Sequence, residues 1–158
     1  MMYEKFGQFI DGKWCQSSDK STYEVINPAN EETLGHASKA TPKDVDRALK
    51  SAEKGLQVWK KTPPWQRSYI IRRIADKIRE KQDVLAKWMT LEVGKPFVEA
   101  KGEVNGAADI FEWNAEETKR IYGQTVESRF EDTRVHVYYQ PVGVVAALSP
   151  WNFPAVLS

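Results

Sequence analysis

Few residues in this chain are of a type and spacing that could do chemistry. The one cysteine, Cys15, lies next to Trp14 with no histidine near it in sequence. A thiol nucleophile needs a lowered pKa or a partner base, so Cys15 reads as a packing residue. His36 and His136 fall in strand-like segments without HExxH or any paired spacing, and both read as structural. Neither the GxxxxGK[ST] phosphate loop nor the GxGxxG dinucleotide fingerprint occurs. A paired-carboxylate site would have to come from Glu92, Glu99, Glu103, Glu112, Glu116 and Glu117. Those residues read first as solvated helix faces with partners such as Glu116 with Arg120. Lys95, between Gly94 and Pro96, reads as helix punctuation. One segment is different. Ser149-Pro150-Trp151-Asn152-Phe153 follows the apolar run Val144–Leu148, and ligands of open α/β sheets bind outside the carboxyl ends of strands. Asn152 would enter that crevice with its amide donor free, or else cap a helix.

The elements that must position these residues fall into three regions. Residues 6–40 are β-like, with Asp11-Gly12 as a two-residue hairpin turn. A second strand pair, Tyr23–Ile26 and Thr33–Ala37, flanks Asn27-Pro28-Ala29-Asn30. Residues 41–122 are helical. Thr41-Pro42 starts one helix, whose face is Val45, Ala48, Leu49, Ala52, Leu56 and Trp59. Thr62-Pro63-Pro64 starts a second, carrying Ile70, Ile71, Ile74 and Ile78. A third, capped by Asp83, ends at Gly94-Lys95-Pro96. A fourth runs from Phe97 toward Tyr122, its Gly102 and Gly106 suggesting close packing. Residues 125–158 are β-like again: Val135, Val137 and Tyr139 alternate, predicting one buried face. Val144–Leu148 reads as a parallel strand covered on both sides, with a helix starting near Ala155.

Composition bounds the rest. The chain has 158 residues, 41% hydrophobic and 28% charged, which suits one globular domain. Lys and Arg number 23 against 22 Asp and Glu, a net charge of +1, which argues against a nucleic-acid or polybasic membrane binder. No apolar run approaches the ~18 residues of a membrane span. A single cysteine excludes an internal disulfide or cysteine-based zinc cluster, and no metal site is expected. Met1–Phe6 has no apolar stretch of the signal-peptide kind, so a cytoplasmic setting is the expectation. Six tryptophans predict an aromatic-rich core, or else a surface that meets another domain or subunit.

Pro150-Trp151-Asn152-Phe153-Pro154, after Val142–Leu148, resembles the P-W-N-F-P segment of the aldehyde dehydrogenase superfamily. Leu91-Glu92-Val93-Gly94-Lys95-Pro96 is similar to its L-E-x-G-K-P turn. Asp11-Gly12-Lys13-Trp14 and Ile26-Asn27-Pro28-Ala29 resemble its N-terminal strands. Glu112–Glu117 and Lys119–Gly123 resemble the succinate-semialdehyde dehydrogenase branch. The resemblance implies an α/β fold: an N-terminal β-hairpin, helices flanking a Rossmann-type domain, part of an oligomerisation arm and the first parallel strand. It divides the chain into 1–124 (cofactor-domain part), 125–141 (arm strands) and 142–158 (first Rossmann-type strand and the start of a helix). It implies NAD or NADP as cofactor and an aldehyde, expected to be a semialdehyde, as substrate. The oxidation would pass through a cysteine thioester resolved by a glutamate-activated water. Asn152 matches the oxyanion-hole asparagine. Leu148, Ser149, Pro150 and Trp151 match positions that line the cofactor, and the arm implies a homodimer or homotetramer.

The family's nucleophile, base, cofactor-ribose lysine and glycine-rich turn lie downstream of P-W-N-F-P. The chain is therefore expected to be the N-terminal portion of a longer enzyme and inactive alone. The alternative is a naturally truncated, non-catalytic assembly or interaction module, presenting apolar surface such as Val142–Leu148. An all-helical binding module over 41–122 is a third reading.

Overall fold

The computed structural model describes residues 7–157. Asp11 and Gly12 both adopt positive φ, 55° and 73°, as a type I′ turn requires. They join β1 (Gln8–Ile10) to β2 (Lys13–Cys15), in register Phe9 opposite Trp14. Those two rings meet edge-on, 5.1 Å apart. β3 (Thr22–Ile26) pairs antiparallel with β4 (Thr33–Ser38). Between them the Asn27 side chain accepts from Ala29 N–H (3.0 Å), and its carbonyl accepts from Glu31 N–H (2.8 Å), which closes the Asn-Pro turn.

Helix α1 (Pro42–Trp59) starts with a capping box. The Thr41 hydroxyl accepts from Asp44 N–H, and Asp44 in turn accepts from Thr41 N–H at 3.0 Å. Asp44 does more than face the helix dipole. Buried almost completely, it also accepts from the Ser18 hydroxyl (2.5 Å) and Ser18 N–H (3.1 Å), tying the N-terminal strands to α1. These bonds, from the Ser18 hydroxyl first and then the two N–H groups, hold its carboxyl well below the usual carboxylate range. Asp19 beside it is lowered to about 2 by the hydroxyls of Ser21 and Ser17. A depressed folded pKa stabilises the fold above the unfolded value, near 4. That stabilisation is lost as pH falls through the folded pKa. The Ser18 amide should therefore stay protected from hydrogen exchange at pH 5–7 and lose protection only in stronger acid. Asp44→Asn should remove that protection at neutral pH; an unchanged exchange rate would contradict this role.

Helices α2 (Pro64–Glu80), α3 (Gln82–Val93) and α4 (Phe97–Glu117) form the packed body, with α4 lying against both others. The third helix is not capped by Asp83: Lys81 precedes it, and Asp83 sits in the first turn. The fourth ends at Glu117 and tightens into a 3₁₀ turn over Thr118–Arg120, short of Tyr122. The helix interfaces are made mainly by Ala75, Ala86, Met89, Ala100, Val104, Ala107, Ala108 and Ala115. Small side chains let the backbones approach closely. The aromatic-rich core is therefore not what forms: Trp14, Trp59, Trp65, Trp113 and Trp151 are all exposed, as are Ile70 and Ile74 of the expected α2 stripe. Gly106 does meet a neighbour, since a Cβ there would lie 3.6 Å from Val156 Cγ2, whereas Gly102 faces open space.

Ion pairs clamp α2 to α4 across their outer faces. Arg72 bonds Glu112 (2.6 Å) and Glu116, while Arg79 bonds Asp109 (2.7 Å) and Glu112 (2.6 Å). The expected Glu116–Arg120 pair is replaced, because Glu116 turns to Arg72 and Lys119, and Arg120 pairs with Glu117.

β5 (Gln124–Glu127) and β6 (Arg134–Val137) form an antiparallel ribbon with every residue exposed. The predicted buried face of β6 is not formed, since no described layer packs on the ribbon. Val142–Leu148 likewise forms no strand, and Gly143 within it takes a positive φ of 124°. A strand is held by its ladder, and no described strand runs beside this stretch. In place of the helix expected from Ala155, residues 151–156 form turns.

Candidate functional site

The α3–α4 elbow brings together three stretches that are distant in sequence. Gly94 ends α3 in the left-handed conformation (φ 78°), its N–H bonded to Thr90 carbonyl at 3.0 Å. A Cβ at Gly94 would lie 3.1 Å from Pro28 Cγ, so the Asn27-Pro28 turn packs directly on the elbow. Gly94→Ala should destabilise the protein by about 1–2 kcal/mol, the cost of a non-glycine residue in this region, with Pro28 displaced as well. Equal thermal stability of the two proteins would contradict this.

The elbow turns Lys95 back over the 150–155 loop. Lys95 Nζ pairs with Glu103 of α4 and donates to the carbonyl of Asn152 at 2.7 Å. The ammonium also stands 4.1 Å from the centroid of the Phe153 ring. The second Glu103 oxygen accepts from Ala155 N–H at 2.9 Å. The Glu103 side chain is only 2% exposed and that of Lys95 11%. Ala155 packs against the cluster of Ala86, Met89, Ala100 and Val104. Glu103 is thus not on a solvated helix face, and Lys95 is more than punctuation. The sequence signal that could have found them is a Lys and a Glu eight residues apart around a helix start, with the Glu between apolar Ala100 and Val104.

The loop carries the residues singled out from sequence. Asn152 is exposed, and its side-chain amide makes no hydrogen bond among the described residues, so its donor is available. It does not cap a helix here. Leu148 and Trp151, 92% and 80% exposed, flank Ser149 and Pro150 and present apolar surface to solvent. That surface could cover one side of a flat, nucleotide-sized group.

Other candidates carry less. Cys15 accepts from Arg47 (3.1 Å) and lies 3.2 Å from Gln8 carbonyl, between the first hairpin and α1 and on elements apart from Asn152. The Arg79 guanidinium holds the Glu112 carboxyl below its ordinary range, and Lys119 does the same for Glu116. Both carboxylates stay ionised and engaged near neutrality, which disqualifies them as proton donors. A cleft of about 1000 Å³ opens among Trp59, Arg67, Ile71, Arg120, Tyr122 and Tyr139. It contains no cysteine, histidine or carboxylate and no residue of the 148–155 stretch. No cluster of metal-ligating side chains occurs among the described residues, and no described helix is long and apolar enough to cross a membrane.

Residues 14–158 match the model of the aldehyde dehydrogenase family. The chain belongs to that family. It is 44% identical to a glutarate-semialdehyde dehydrogenase of Pseudomonas putida over 94% of its length, covering 31% of that protein. It is 43% identical to an NADP(+) succinate-semialdehyde dehydrogenase of Escherichia coli, with the same two shares covered. A solved NADP-dependent enzyme of E. coli superposes with a TM-score of 0.90 at 42% identity, over 94% of this chain and 31% of that one. The chain thus spans about a third of the length of these relatives, and its fold superposes on that of the solved enzyme.

Proposed function

We propose that the protein carrying this chain is an NAD(P)-dependent aldehyde dehydrogenase that oxidises a semialdehyde, such as succinate or glutarate semialdehyde, to the acid. The observation that carries this reading is the free amide of Asn152, held out from a loop whose backbone is anchored at Asn152 and at Ala155. In the proposed reaction a cysteine supplied outside this chain attacks the aldehyde carbon, and the carbonyl oxygen becomes an oxyanion. Asn152 donates its side-chain N–H to that oxygen, and pre-aimed donors of this kind are among the largest contributors to acyl-transfer catalysis. Collapse of the tetrahedral adduct would expel the hydride of its carbon, for which a bound nicotinamide would be the acceptor, and would leave a thioester that water hydrolyses. Leu148, Ser149, Pro150 and Trp151 would hold the nicotinamide nucleotide on one side. When bound, that cofactor supplies a hydride acceptor.

Names among the relatives support the semialdehyde class. The wholly exposed β5–β6 ribbon supports assembly into a homodimer or homotetramer. In this reading 1–124 belong to the cofactor-binding part, 125–141 to the arm, and 142–158 to the first Rossmann-type strand and its continuation. A thiol nucleophile agrees with a cytoplasmic, reducing setting.

Assay of the natural protein with both semialdehydes and both nucleotides tests the proposal, and growth of reduced nucleotide absorbance is the expected result. No turnover of either aldehyde would overturn it. The 158-residue chain alone should be inactive, because Cys15 is engaged with Arg47 on separate elements. Exposure of Val142, Val145 and Leu148 favours a second reading as an assembly module. Binding to a partner chain without any turnover in the natural protein would support that one.

A further inference from the structure

We infer that Lys95 and Glu103 are positioning residues for Asn152: a buried ion pair that acts as a strap on the 152–155 loop. The inference rests on the dehydrogenase reading above. A buried ion pair is weak evidence for stability, since desolvation can outweigh the attraction unless further hydrogen bonds satisfy both partners. Here the further contacts go to one place. Lys95 Nζ holds the Asn152 carbonyl and the Phe153 ring, and Glu103 holds Ala155 N–H. The pair therefore grips the loop at 152, 153 and 155 and leaves the Asn152 side-chain amide unengaged among the described residues.

The pair itself is held rigidly. Gly94 and Pro96 define the elbow that carries Lys95, and Glu103 is fixed in α4 between the buried Ala100 and Val104. With its carbonyl bonded to Lys95, the Asn152 peptide cannot rotate freely, which restricts where the amide can point. A donor that must meet a developing oxyanion depends on such fixing, because misplacement by about 1 Å can cost ~10²-fold in rate.

The test uses the natural protein with the paired substitution Lys95→Met/Glu103→Gln. The pair leaves no buried charge unpartnered and keeps an oxygen for Ala155 N–H. Lys95→Arg, which keeps a cationic donor, is the conservative comparison. The double variant should lower kcat by roughly tenfold to 10²-fold, within the range of a misplaced group, with KM for aldehyde and nucleotide little changed. Lys95→Arg should recover part of the loss. The peptide spanning Asn152–Leu157 should exchange its amide hydrogens faster in the double variant.

In an Asn152→Ala background the same double substitution should change kcat little, because the residue it acts through is gone. An equal loss in both backgrounds, an unchanged kcat, or unchanged exchange of the 152–157 peptide would each overturn the positioning role. If the unsubstituted protein oxidises no aldehyde, the dehydrogenase reading fails and the positioning role fails with it. The exchange measurement still reports separately whether the pair straps the loop.

Discussion

Asn152→Ala should lower kcat of the proposed dehydrogenase reaction by about 10²–10³-fold, or roughly 2.7–4 kcal/mol, the usual effect of removing one oxyanion-hole donor. KM for aldehyde should move far less, because the bond strengthens as charge develops on the oxygen rather than in the bound substrate. The fold should be indifferent to the change: Asn152 is exposed, and its side chain makes no bond that would be lost among the described residues. The backbone carbonyl that Lys95 grips is kept in the variant. Steady-state kinetics together with thermal melting separate the two effects. A kcat within a few-fold of the parent would remove Asn152 from the reaction, and a large fall in melting temperature would make it a structural residue instead.

Lys95→Met alone should cost about 3 kcal/mol of stability, the lower end of the ~3–5 kcal/mol seen when one partner of a buried pair is removed. The lower end applies because Lys95 keeps slight exposure, 11% of its side chain, whereas Glu103 is 2% exposed. The loss arises chiefly from the Glu103 carboxylate left without its cation beside the Ala86–Val104 cluster. Adding Glu103→Gln should therefore restore much of it, although a second native residue has been removed. Urea unfolding of parent, single and double variants measures this directly. If the double variant is no more stable than Lys95→Met, the stranded charge is not the cause.

Local structure was legible wherever a residue acts on its own neighbours. Asp11-Gly12 dictates the first hairpin because both positions need positive φ. Thr41-Pro42 starts α1, and Gly94 ends α3, for reasons contained within a few residues of each. The P-W-N-F-P, L-E-x-G-K-P and I-N-P-A stretches pointed to the family, whose model matches residues 14–158. Pattern reasoning failed where the outcome depended on what lies alongside. The alternation in Val135, Val137 and Tyr139 calls for a covered face, and Val144–Leu148 calls for neighbouring strands. Neither neighbour is among the described elements. The helical tryptophans Trp59, Trp65 and Trp113 missed the core for a related reason: helices cross closely over alanines, and these large rings stay exposed.

By itself the sequence determined where the first hairpin turns, where α1 begins and where α3 ends, and it singled out Asn152 as a candidate donor. Those features depend on backbone preference and on hydrogen bonds a few residues long. Only the tertiary structure decided what holds Asn152. Lys95 lies 57 residues before Asn152, and Glu103 lies 52 before Ala155. Each reads in sequence as an ordinary charge near a helix start. Their pairing, burial and grip on one loop arise only after α3 turns at Gly94 and α4 packs beneath it. Contacts that are distant along the chain carry no local signature, because their energy comes from the low-dielectric space that folding creates between them.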